Sequence, residues 1–89
     1  VFINNFITHI AHLAETESKS RQLNWTILKP LIHKTIDIIL CQNILNKQTG
    51  PASREDYSVL EKHEGMLKDN AKEVYKVLSE SIIKSMKSK

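Results

Sequence analysis

Phe2, Ile3, Phe6, Ile7, Ile10, Leu13 and Ala14 recur every three or four residues, the spacing that lines one face of an α-helix. The same period returns further along the chain. Nowhere do apolar and polar residues alternate over a stretch long enough for a half-buried strand, and there is no internal repeat or low-complexity segment. The pattern therefore predicts an all-α fold, a compact bundle of about four helices forming a single domain over residues 1–89.

The first helix covers the stripe from Phe2 to Ala14, with Glu15 to Gln22 read as a polar loop or frayed end. Asn24 is placed to cap a second helix carrying Trp25, Leu28, Leu31, Ile32, Ile36, Ile39 and Leu40. Pro30 interrupts that pattern. It either kinks the helix or marks its true first turn, with Trp25 to Leu28 in a preceding turn. Gly50-Pro51 is the clearest break, and Ser53 with Asp56 reads as a capping box opening a third helix from about Arg54 to Leu67. Asn70 with Glu73 repeats that signature and opens a fourth helix, which buries Ala71, Val74, Tyr75, Leu78 and Ile82.

Composition narrows the function. A chain of 89 residues with 40% hydrophobic and 26% charged residues fits an ordinary soluble domain that needs no disulfide or metal to fold. The formal charge of +3 gathers in the tail at Lys84, Lys87 and Lys89, with no basic stripe interleaved with aromatics, so nucleic acid is not an expected partner. No apolar run approaches a membrane span, and no signal-peptide pattern opens the chain. Cys41 is the one cysteine, which rules out an internal disulfide and suits a reducing cytoplasm; in an apolar helix its default role is that of a small buried hydrophobe. Val1 opens the chain already inside a helical pattern, so a fragment of a longer protein is expected.

The residues able to carry chemistry are few. Asn5 and His9 lie four apart on one helix face, either as hydrogen-bond donors to a substrate or as a pair satisfying each other and a neighbouring helix end. Arg54 is suited to bidentate recognition of a carboxylate or phosphate, or it points to solvent; Asp56 beside it has the spacing of a helix cap. His63, two turns later, is a base candidate or a core-edge histidine holding one backbone carbonyl. His12 and His33 read as surface residues. The four histidines have no metal spacing, so no metal is expected.

The ordered set Asn5-Phe6-Ile7-Thr8-His9, Leu28-Lys29-Pro30-Leu31-Ile32, then Thr49-Gly50-Pro51 with Arg54, Asp56 and His63 resembles a known family. It is similar to the C-terminal helical domain, of unknown function, of bacterial Rossmann-like NADP-dependent oxidoreductase-like proteins. The family pattern resembles N-F-x-N-H, L-x-P-L-I and T-G-P-x-x-R-x-D followed by a later His. Tyr75, Leu78 and Ser79 fit a further Y-x-x-L-S signature. The likeness covers nearly the whole chain. Thr8 departs where the family often has Asn, and Glu55 where many members have Gly.

The resemblance implies kinship with the C-terminal domains of ketopantoate reductases, pyrroline-carboxylate reductases and hydroxyacid dehydrogenases, and a bundle like the dimerisation domain of 6-phosphogluconate-dehydrogenase-like enzymes. It implies NADP for the parent protein, a Rossmann-like N-terminal domain as partner, a homodimer, and a substrate cleft lined by Asn5, His9, Thr49, Gly50, Arg54, Asp56 and His63. No G-x-G-x-x-G is present here, so neither cofactor binding nor catalysis is expected of this part alone. The alternative reading is a stand-alone helical protein–protein interaction module using Trp25 and its apolar neighbours.

Overall fold

A computed structural model of the chain describes residues 1–88. Four α-helices carry the fold: α1 (Ile7–Ser20), α2 (Lys29–Leu40), α3 (Tyr57–Met66) and α4 (Asp69–Lys87). Among the described residues there is no strand. The chain divides into two compact units, Val1–Leu40 and Cys41–Lys89.

In the first unit the N-terminal stripe starts as a π-helix, Phe2–Phe6, before tightening into α1. Phe2 and Phe6 meet edge to face with ring centroids 5.1 Å apart. The helix does not fray after Ala14. It runs on through the polar stretch to Ser20, helped by the Glu17–Arg21 pair at 3.7 Å and by Ser18, which is buried. Its end is a Schellman turn. The Leu23 N–H donates to the Ser18 carbonyl at 2.8 Å and the Gln22 N–H to the Lys19 carbonyl at 3.1 Å, with Gln22 left-handed at φ 58°.

Asn24 caps as expected, its side-chain oxygen accepting from the Thr26 N–H at 2.9 Å. What it caps is a short 3-10 turn, Trp25–Leu28. Pro30 then falls in the first turn of α2, where its missing N–H would have found no helical partner anyway. Of the two readings of Pro30, the first-turn one holds. Cys41 lies just past the end of α2 and is exposed, not buried: Gln42 and Asn43 are both left-handed, so the helix stops before it can cover the thiol.

The second unit contains the buried apolar side chains, Ala52 at 4% and Leu60 at 5% exposure. Here the expected third helix starts later than the capping-box reading put it. Ala52–Arg54 forms a 3-10 turn closed by two bonds, from the Asp56 N–H to the Pro51 carbonyl at 2.9 Å and from the Glu55 N–H to the Ala52 carbonyl at 3.2 Å. Between them Glu55 is left-handed at φ 54°, which breaks helical continuity, so Arg54 lies outside α3. The cap of α3 is Asp56, accepting from the Val59 N–H at 3.4 Å; the Ser53 hydroxyl instead donates to the Gly50 carbonyl at 2.7 Å.

The turn at Ala52–Arg54 packs on α4, as does α3. The second capping-box expectation fails too: Asn70 lies inside α4, and Lys68 holds the cap position without a side-chain bond. Along α4, Ala71, Val74, Tyr75, Ile82, Ile83 and Met86 are half-buried at helical spacing, while Leu78 is exposed.

Glu55 holds the position of this turn where glycine costs least. Its ion pair with Lys87, 3.9 Å long and well exposed, offsets little of that cost. Glu55→Gly should therefore raise stability by about 1 kcal/mol, and the melting temperature by ~4–8 °C. Gly50→Ala should act in the opposite direction: φ is 95° there although nothing crowds the added methyl, so the penalty is backbone strain. Thermal melts of the two variants beside the native chain check both signs.

Candidate functional site

The seven residues singled out by sequence fall in both units. Asn5 and His9 belong to the first and are exposed; Asn5 sits in the π-helical turn, its N–H donating to the Val1 carbonyl at 3.0 Å and to Asn4 Oδ1 at 2.8 Å. The ring neighbouring His9 is that of His12, 5.9 Å away centroid to centroid. His12 and His33 are exposed, as expected.

Thr49, Gly50, Arg54, Asp56 and His63 belong to the second unit. The turn chemistry gathers the first four into one short stretch. Thr49 and Arg54 face solvent, and the Gly50 carbonyl is engaged by Ser53. Asp56 is a structural cap and shares its Oδ1 with the Ser58 hydroxyl at 3.1 Å. Arg54 is the one member of this stretch that carries a cationic fork, and it is exposed.

His63 is neither isolated nor bound to a backbone carbonyl. Its Nδ1 lies 2.8 Å from the Tyr75 hydroxyl, joining α3 to α4, and the two rings meet edge to face at 5.9 Å. Ser79, one turn beyond Tyr75 and buried, hydrogen-bonds the phenol oxygen as well. Burial pushes the Tyr75 phenol above its ordinary value. The Ser79 bond works the other way, and the Glu64 carboxylate adds to the rise. Tyr75 is therefore a neutral donor at physiological pH. With the imidazole proton on Nε2, the order runs from the Tyr75 O–H to His63 Nδ1.

Sequence reasoning placed Tyr75 in the core and did not connect it to His63, twelve residues away. The available signal was local: Tyr75 and Ser79 at i and i+4 on one helix face. The other feature it missed is an open groove of ≈ 230 Å³ between α3 and α4, with Ser79 and Leu60 in its lining and Glu61, Glu64, Lys76 and Glu80 around it. None of the seven candidates lines it. Among the described residues no group of three His, Cys, Asp or Glu could hold a metal ion, and no helix is long and apolar enough to cross a membrane.

Known proteins share this outline. Residues 1–82 match the family model described as a domain of unknown function, DUF2520. The fold is similar to the crystal structure of a putative NADP oxidoreductase from Bacteroides fragilis, with a TM-score of 0.86 and 35% identity over 94% of this chain. The chain spans about a third (33%) of the length of that protein. No curated protein matches the sequence.

The raised phenol means that the folded chain holds the Tyr75 proton more tightly than the unfolded chain does. Its contribution to stability is complete below about pH 10 and is lost as pH climbs through the folded value. Tyr75→Phe should cost about 1 kcal/mol at neutral pH through the lost hydrogen bonds. It should also flatten the alkaline fall in unfolding free energy, which urea titrations of both proteins at neutral and alkaline pH would read.

Proposed function

The chain belongs to the DUF2520 family of helical domains, and from that premise we propose that it is the C-terminal, substrate-side and dimerisation domain of a bacterial, cytoplasmic NADP-dependent oxidoreductase. The observation that carries this reading is the 0.86 TM-score and 35% identity to one part of a larger NADP oxidoreductase chain. In the proposed parent, a Rossmann-like N-terminal domain binds the dinucleotide and supplies the hydride chemistry. The present chain is not built to bind a dinucleotide, since its two glycines, Gly50 and Gly65, form no phosphate-cradling loop.

The role of this domain is then to close the cleft over the substrate. Asn5 and His9 are proposed as donors to a substrate carbonyl or hydroxyl. Arg54, with Thr49 and Gly50 before it, would orient an anionic group, and Asp56 acts by capping α3 and holding that turn in place. His63, oriented by Tyr75, presents its other ring nitrogen to a substrate hydrogen bond. Each of these residues binds or positions, and catalysis belongs to the whole protein.

A stand-alone helical interaction module is the competing reading, favoured by the exposed apolar residues of the first unit. The two separate on the gene and on nucleotide binding. The oxidoreductase reading expects a strand, a G-x-G-x-x-G turn and a helix encoded upstream of Val1. It also expects NADPH fluorescence to change on titration with that longer protein and to stay flat with the present chain alone. An upstream region without that motif, and no response from the longer protein, would leave the interaction module as the better account.

A further inference from the structure

The groove between α3 and α4 combines an apolar base with a rim of one dominant sign. Leu60 of α3 is buried and Ile83 of α4 half-buried, and the Tyr57 ring beside them is 53% exposed. Around this base stand Glu61 and Glu64 from α3 and Lys76 and Glu80 from α4. Three carboxylates and one ammonium make a net charge of −2, in a chain whose formal net charge is +3. Among the described residues none of these four side chains is in an ion pair.

Ser79 lines the same groove and is only 8% exposed. Its bond to Tyr75 acts to lower the phenol's pKa, the effect of a hydroxyl that donates to the phenol oxygen. The serine oxygen keeps its own lone pairs, so it remains an acceptor at the wall of the groove. A buried acceptor, unpaired carboxylates and an apolar base suit one kind of group, a cationic donor on an aliphatic stem. We propose that the groove is a docking pocket for an arginine side chain presented by a partner polypeptide.

Size selects the source. At ≈ 230 Å³ and open to water, the groove falls below the roughly 300–1,000 Å³ of sites that enclose a free small molecule. It has room for one long side chain anchored from outside. Arginine is favoured over lysine because its guanidinium is the less strongly hydrated cation, stacks on an aromatic ring such as Tyr57, and offers several donors to the carboxylates and Ser79. The rim repels phosphate and carboxylate, and none of the proposed cleft residues lines it, so the inference stands apart from the oxidoreductase reading.

The test is an NMR titration of the chain with the capped tripeptide Ala-Arg-Ala and with its norleucine counterpart. Saturable shifts are expected at Leu60, Ser79 and Ile83 with the arginine peptide, weakening as salt is raised, and much weaker binding is expected of norleucine. Glu61→Gln and Glu80→Gln should each lower the affinity about two- to five-fold, the worth of one exposed ion pair, whereas Lys76→Gln should raise it. A general loosening of the helices would not give opposite signs on the two sides of one rim. Shifts that never saturate, equal binding of the norleucine peptide, or affinity indifferent to all three substitutions would overturn the proposal. Binding that is present in this chain and lost in the longer protein would assign the groove to that protein's own N-terminal part and overturn the partner.

Discussion

The second unit depends on the pair of hydrogen bonds that closes the turn at Pro51–Asp56. They fold the chain back tightly enough to bury Ala52 and put Asp56 at the start of α3, where it caps the helix. With α3 launched in that direction, Leu60 is buried and His63 comes within 2.8 Å of the Tyr75 hydroxyl on α4. Local backbone chemistry thus sets a contact between residues twelve positions apart. The conformation is obtained at a cost, because Glu55 occupies a left-handed site where a side chain is unwelcome.

The two units manage their apolar residues differently. The second hides a small core and ties its helices together with a polar link of His63, Tyr75 and Ser79, so that the hydrogen-bonding groups it withdraws from water find partners. The first unit exposes most of its large apolar side chains and leaves Leu13, Trp25, Leu28, Ile38 and Ile39 half-buried. A chain that keeps so much hydrocarbon in contact with water gains by association, and this links the physical character of the first unit to its proposed place in an assembly.

Helical period carried most of what was legible in the sequence. It is a local signal, written in residues three and four apart, and it located all four α-helices. The cap at Asn24 was legible for the same reason, since an Asx side chain bonds a backbone N–H two residues on. Boundaries were harder. Ser53 and Asp56 have capping-box spacing, but the left-handed Glu55 between them moves the cap to Asp56, and no propensity scale foresees a glutamate there. The motif order Asn5-His9, Thr49-Gly50-Pro51, Arg54, Asp56 and His63 pointed to the family without revealing which of these residues meet.

The sequence by itself determined the fold class, the family and the apolar stripes, because each is encoded in short-range spacing or in ordered motifs. Only the tertiary structure decided that His63 finds Tyr75 instead of a backbone carbonyl, and that Cys41 is exposed. It also decided that α3 and α4 enclose a groove lined by residues no motif had marked. Those outcomes depend on which helix faces which and where each one stops. Such choices are made by packing between residues distant in the chain, and a period of 3.6 carries no record of them.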